Sequence, residues 1–476
     1  MTWLRSARTA DGARVDVELA GGRVAQVVPA GSSSAGSVSS SSGQDTQDGQ
    51  DTQDGQDTQD TQDGQDTQDA EPDLDLTGHV LLPSFVEPHA HLDKALTVSR
   101  AANPTGDLLG AITAMRAIQT ELTAADYAAR ANAALRTYLA HGTTAVRTHV
   151  DVGAEAGMVA LAALVEVREA WRGLVDLQLV ALVSHPLAGA AGADLRRALR
   201  EGADVAGGCP FLDEEPAKGV AICLDAAGEA GVPLDLHTDE TLDPAVLTLD
   251  VLADLVARTG FEYGATASHC VSLAAQPPSI QLRLADRVAA AGIAVVALPQ
   301  TNLYLQGRDH PVAPPRGLTA VGPLRAAGAT VAAGGDNLRD PFNPVGRADP
   351  CETAALMVAC GHLDGPAALD TVTAAPRRAL GLPPVGLVVG APADLVALPA
   401  ADALEALAAA PAARTVWRAG RIAARTTVTS EIAAPRPVPP ASISSVTAPT
   451  STASAGTARP ARPDRPERRP FQEVDS

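Results

Sequence analysis

The sequence predicts an α/β protein: a (β/α)8 barrel of TIM type with a small β-sandwich domain formed by both chain ends. Three observations predict it. From Val80 to about Leu380, short β-type runs alternate with Ala-rich helical stretches. Metal-ligand and acid/base residue types fall at the C-terminal ends of those runs. Strand-like segments also open and close the chain. Alternating strand and helix patterns make a parallel sheet, and eight repeats make a barrel. Hydrophobic residues make up 46% of the chain but aromatics only 3%, so Ala, Val and Leu must fill the core. That suits helices packed closely on strands buried on both faces.

Residues 1–30 form the N-terminal part of the small β domain. Val15-Asp16-Val17-Glu18-Leu19 alternates apolar and polar, and Gly21-Gly22 predicts a hairpin turn before Val24–Val28. Residues 31–70 are a Ser/Gly run followed by Gln-Asp-Thr and Gln-Asp-Gly repeats, with no apolar residue from Gln44 to Asp69. Such a segment cannot offset its ordering entropy, so a disordered insertion is expected. An acidic interaction tail is the alternative reading. The barrel, residues 80–380, has its strands at Leu81–Val86, Thr144–Thr148, Leu177–Val183, Ala203–Ala206, Pro233–Leu236, Gly264–Ala267, Ala294–Leu298 and Ala329–Ala333. Residues 385–425 return to strand character, as in Ala393–Leu398 and Thr415–Ile422, and supply the C-terminal part of the small domain. Residues 433–476, rich in Pro, Ser, Thr and Arg, are expected to be a disordered tail.

Composition narrows the function. Much of the net charge of −20 lies in the repeat, where Asp45, Asp48, Asp51, Asp54, Asp57, Asp60, Asp63, Asp66 and Asp69 recur every third residue. No basic patch speaks for nucleic acid as a partner. No apolar run is long enough to span a bilayer, and the N-terminus lacks a signal-peptide pattern. The five cysteines are scattered without a Cys-x-x-Cys pair, which suits reduced thiols and a cytoplasmic enzyme. A homo-oligomer stays open.

Active sites of such barrels lie at the C-terminal strand ends. The first run leads into Glu87-Pro88-His89-Ala90-His91, the fifth into His237-Thr238-Asp239-Glu240, the sixth into Ser268-His269-Cys270, and the eighth into Gly335-Asp336-Asn337. Residues i and i+2 of a strand share a face, so His89 and His91 can bind one ion. His89, His91, His237 and Asp336 are the expected ligands. Three imidazoles and a carboxylate suit one borderline divalent ion, Zn2+ or Fe2+. An open position on that ion would acidify water to hydroxide near neutral pH. Glu240, three residues beyond His237, is placed to carry protons between water and a leaving nitrogen. His269 is placed to stabilise developing charge, and Asp336 to accept the water proton as well as bind metal. His149 could buttress the ligands, touch substrate or simply pack. His185 and Asn337 are candidate substrate contacts.

These segments, with Arg147-Thr148-His149-Val150-Asp151, Thr266-Ala267-Ser268-His269 and Leu305-Gln306-Gly307-Arg308, resemble a cytosine deaminase-like member of the amidohydrolase superfamily. The resemblance covers about Leu81 to Leu380 and the small domain. It implies metal at His89, His91, His237 and Asp336, and proton transfer and electrostatic stabilisation by Glu240 and His269. Two departures fall on substrate recognition. The glutamine that grips the pyrimidine at the end of the third strand is replaced by Ser184-His185-Pro186, and the second acid after the eighth by Asn337. Asp93-Lys94 is similar to members acting on triazines or pterins. The expected activity is hydrolytic deamination of a small N-heterocycle: pyrimidine, triazine or pterin-like. Hydrolysis of a cyclic amide or N-alkylamine at the same site, or a non-catalytic metal-binding scaffold, are the alternatives.

Overall fold

Two sheets of eight strands each organise the described residues. The computed structural model describes residues 1–32, 73–153, 156–183 and 187–433. The disorder expected for 31–70 and 433–476 therefore falls, apart from Gly31, Ser32 and Ala433, outside the described residues. Residues Met1–Val428 form one compact unit.

The smaller sheet is built from both chain ends. Its strands are β1 (Thr2–Arg8), β2 (Arg14–Ala20), β3 (Arg23–Pro29), β4 (Leu74–Asp75) and β5 (His79–Pro83). Beyond the barrel strands, numbered β6 to β13 below, it gains β14 (Leu395–Pro399), β15 (Arg414–Arg418) and β16 (Arg421–Thr426). Their order is β16-β15-β14-β5-β1-β2-β3, with β4 beside β1. The expected hairpin joins β2 to β3 through Gly21 and Gly22, whose φ values of 56° and 77° are the paired positive angles that a tight two-residue turn demands. The antiparallel pairing of β5 with β14, Leu82 opposite Val396, ties the two ends together.

Period-two alternation divides these central strands between two cores. Leu81, Leu395 and Ala397 pack with Leu4, Val17 and Trp417 inside the small domain. Val80, Leu82, Val396 and Leu398 face the other way and join the main core of the barrel.

The barrel strands are β6 (Phe85–Ala90), β7 (Thr143–Val152), β8 (Asp176–Val183), β9 (Val205–Gly208), β10 (Leu234–Thr238), β11 (Ala265–His269), β12 (Ala294–Ala297) and β13 (Val331–Ala333). They are parallel and lie in chain order. A parallel bridge between Ala90 and Asp336 closes the last strand region onto the first. There the Asp336 amide donates to the His89 carbonyl at 3.1 Å and the Gly335 amide to Glu87 Oε2 at 2.9 Å.

One expected strand is divided. The run Leu81–Val86 is continuous in apolarity but splits at Ser84 between the two sheets. Up to Pro83 it pairs with β14, and from Phe85 with β7. Ser84 serves both: its amide donates to the Asp394 carbonyl at 3.0 Å, while its hydroxyl lies 2.7 Å from that of Thr144. Both halves are buried on both faces, which hides the junction from any hydropathy pattern. Among the described residues, no helix is long and apolar enough to cross a membrane.

Candidate active site

Strand ends deliver the expected residues to one place. His89 lies inside β6 and His91 just beyond it, His237 and His269 occupy the last turns of β10 and β11, and Asp336 follows β13. His89 Nε2 and His91 Nε2 stand 3.5 and 3.3 Å from Asp336 Oδ1, and His237 Nε2 stands 3.2 Å from His91 Nε2. Four ligands at about 2.1 Å from a tetrahedral ion are about 3.4 Å from one another, a spacing that these three pairs match. His89 Nε2 and Asp336 Oδ1 are buried without any hydrogen-bond partner. Orphaned buried polar atoms are rare, and a shared cation would satisfy both. Burial, reinforced by the neighbouring imidazoles, holds His89, His149 and His237 well below the ordinary histidine value, leaving their lone pairs free near neutral pH.

Two further histidines border this set. His89, His269 and Asp336 form a group with donor atoms within 4.8 Å of one another, and so do His89, His149 and His237. His149 meets His89 ring to ring, with centroids 3.9 Å apart and planes tilted by 31°. It is fully buried beneath the ligands and is not part of the pocket wall.

Glu240 and His269 form the second half of the site. Glu240 Oε1 lies 3.5 Å from His269 Nδ1, and both side chains are buried. Asn302 Nδ2 donates to the same Nδ1 at 3.1 Å, which leaves the imidazole proton on Nε2, an atom with no partner. Gln306 Nε2 donates to the Glu240 carbonyl at 3.1 Å and fixes its loop. Burial first, and then the Asp336 carboxylate, raise Glu240 well above the usual carboxylate range. Burial lowers His269 to about 4.

A layer beneath the ligands escaped the sequence reading. His89 Nδ1 donates to Ser268 Oγ at 2.9 Å, Ser268 Oγ donates to Asp235 Oδ1 at 3.0 Å, and Arg147 Nη1 donates to Asp235 Oδ2 at 2.8 Å. This chain fixes the His89 tautomer with Nε2 unprotonated. A signal was present: Asp235 precedes His237 by two residues and Arg147 precedes His149 by two, so each occupies the same face one layer deeper. On the other side Lys94 Nζ lies 3.2 Å from His91 Nδ1 and donates to Asp93 Oδ2 at 3.1 Å and Asp151 Oδ1 at 2.8 Å.

Above these groups opens a cavity of about 940 Å³, its mouth included. His91, His237, Asp336, Glu240 and His269 line its base, with Lys94, Asp151 and Asn337 beside them. Asn337 lines the cavity, its Nδ2 donating to Asp340 Oδ2 at 2.8 Å. Leu182, Phe211, Leu212 and Phe342 form an apolar wall. Helix α1 (Leu108–Gln119) covers one side with Leu108, Ile112 and Met115. His185 lies outside the described residues.

A parallel barrel with imidazoles, a carboxylate and an acid/base pair gathered at its C-terminal mouth is the framework of a hydrolase. A model of the amidohydrolase family matches residues 99–424. A pterin deaminase from Rhizobium rhizogenes is 40% identical over 362 residues, 74% of this chain and 82% of that one. The crystal structure of a 5-methylcytosine deaminase from Klebsiella pneumoniae superposes with a TM-score of 0.76 at 29% identity, covering 90% of this chain and 99% of that one. An N-isopropylammelide isopropylaminohydrolase from Burkholderia multivorans superposes with a TM-score of 0.69 at 30% identity, covering 89% and 98%. The chain belongs to the amidohydrolase family. It is a deaminase-like enzyme of that family, a hydrolase acting on carbon–nitrogen bonds other than peptide bonds.

Proposed function

We propose that this enzyme is a metal-dependent hydrolytic deaminase of a small N-heterocycle, with a pterin-like fused pyrimidine as the first candidate. One observation carries the reading: Glu240 and His269 stand together at 3.5 Å over a ligand-spaced cluster in a single cavity. The 40% identity to a pterin deaminase supports the substrate class.

His89, His91, His237 and Asp336 would hold one divalent ion, Zn2+ or Fe2+. Such an ion supplies Lewis acidity and a water made acidic enough to attack near neutral pH. The chain's own residues do the rest. Glu240, beside the attacking water, accepts its first proton and delivers it to the ring nitrogen; it then takes the second proton from the newly added hydroxyl, with Asp336 as relay, and delivers it to the amine, which departs as ammonia. His269, with its proton on Nε2, donates to the negative charge that develops at the reacting centre. Asp336 shares the base function at the seam of the barrel. Leu182, Phe211 and Phe342 wall off one side of the cavity, where a planar ring can stack and exclude water.

The test is ammonia release from pterin, cytosine and an aminotriazine, with and without chelator. Ammonia from at least one of them, abolished by metal removal, is the expected result. Release of an alkylamine from an N-alkylated triazine with no ammonia from any amino-heterocycle would replace the deaminase with the alkylamine reading, which the Burkholderia structural neighbour supports.

A further inference from the structure

Strand β7 carries three ionisable residues on its inward face, at three depths. Arg147 and His149 are fully buried, whereas the Asp151 side chain keeps 30% of its surface and lines the cavity. Strand alternation places all three in one column, from the base of the barrel to its mouth.

Asp151 is held more firmly than a loop acid would be. Its amide donates to Asp93 Oδ2 at 3.0 Å, and its Oδ1 accepts from Lys94 Nζ at 2.8 Å. Lys94 in turn donates to the same Asp93 oxygen at 3.1 Å, closing a ring of three residues through the Asp151 amide, of which Asp93 and Lys94 are buried. Asp151 Oδ2 has no hydrogen-bond partner among the described residues. A fixed carboxylate with one spent oxygen and one free oxygen faces a cavity whose other wall is apolar.

We propose that Asp151 is the residue that reads the bound heterocycle, accepting a ring or exocyclic N–H from the edge turned away from the reacting carbon. The inference rests on the deaminase reading above. Glu240 and His269 come from β10 and β11, on the far side of the barrel from β7 in strand order. The reacting carbon must lie near those two residues, so the ring's opposite edge reaches Asp151. A carboxylate only accepts hydrogen bonds. It therefore selects an edge that donates N–H and discriminates against a bare ring nitrogen or an N-alkyl group. Lys94 balances its charge and leaves Oδ2 for the ligand.

Equilibrium binding tests this without turnover. Lumazine, the dione left when a pterin loses its 2-amino group, and uracil, the corresponding product from cytosine, are the probes, together with their singly N-methylated counterparts. Wild-type protein should bind at least one parent dione and discriminate against one of its N-methyl forms. Asp151→Ala should weaken the parent about 10–100-fold and narrow that discrimination at least tenfold, with metal content unchanged. Asp151→Asn, which keeps the volume and one acceptor, should fall between them and guards against a folding defect in the alanine variant. Equal weakening of parent and every methylated form, or unchanged binding, overturns the proposal. So does loss of metal in either variant, since Asp151 would then act only by steadying Lys94 against His91. Wild-type protein that binds neither lumazine nor uracil overturns this inference, while the deaminase reading falls only if ammonia release from pterin, cytosine and the aminotriazine fails as well.

Discussion

His269 and Asp336 both adopt a positive φ, 71° and 62°, where residues with a Cβ are strained. Each such position costs about 1–3 kcal/mol and persists only where its surroundings over-determine it. Here the Asp336 amide is tied to the His89 carbonyl, and Thr319 donates to the carbonyl of His269. The strain turns both side chains toward the cluster. Glu240 needs no such bend, and its value lies in its proton. Glu240→Gln keeps the reach but not the transferable proton, so kcat should fall about 10²–10⁴-fold while KM shifts little. Retained metal content would accompany that fall, and loss of metal would make Glu240 a ligand. Asp340, in the segment that follows Asp336, offers a pH test. Burial raises it from 3.8 to about 6 against its hydrogen bonds from Asn337, Phe342 and Asn343. Because the folded value lies above the unfolded one, the native state holds this proton more tightly. The stability it contributes is full below pH 3.8 and lost as pH rises through 6. That difference corresponds to about 3 kcal/mol. Asp340→Asn cannot lose it, so the variant should gain on the wild type by about this amount between pH 4 and 7 in denaturant titrations. A stability difference flat across that range would mean that Asp340 ionises normally.

At the level of strands, the sequence revealed the top layer of the barrel and missed the one below. His89, His237 and His269 were legible because ligand-type residues at strand ends have few other reasons to recur in barrel order. Arg147, Asp235 and Ser268 were not, because a buried Arg–Asp pair reads in sequence like two surface charges. Only the three-dimensional closure of the barrel brings β7, β10 and β11 close enough to link them. The split of Leu81–Val86 was hidden for a different reason: two sheets meet at Ser84, and both want apolar residues there. The buried chain from His89 through Ser268 and Asp235 has a measurable consequence. Ser268→Ala removes the acceptor of the His89 Nδ1 proton and leaves Asp235 one bond short. Groups that orient metal ligands in this way are typically worth about 10–100-fold in metal affinity. Chelator competition should show a loss of that size, with a far smaller change in KM once metal is saturating. Unchanged affinity would mean that packing alone holds the His89 ring.

Across the whole molecule, the acidic repeat is a long sequence feature that lies outside the described residues. It enters after β3 and leaves before β4, so both its ends attach to the small sheet and neither to the barrel mouth. Asp73, at its exit, accepts hydrogen bonds from the amide of Trp3 and the guanidinium of Arg5, and this anchor fixes where the chain must rejoin. The attachment points are three strand spacings apart across the sheet, with some offset along it, on the order of 20 Å. At about 3.3 Å per extended residue, six residues barely span that distance and ten span it with slack. Replacing residues 33–72 by ten residues of Gly and Ser therefore preserves Asp73 and every described contact of the small sheet. Cutting the loop from forty residues to ten lowers its closure cost by about 1 kcal/mol. The shortened protein should keep the wild-type kcat/KM and metal content, and should melt at the same temperature or slightly higher. It should also elute less sensitively to salt on an anion exchanger, having lost aspartates from Asp45 to Asp69 that recur every third residue. A fall in kcat/KM with the melting temperature intact would show that the repeat acts on the active site directly. A fall in both would show that the small sheet depends on it for folding.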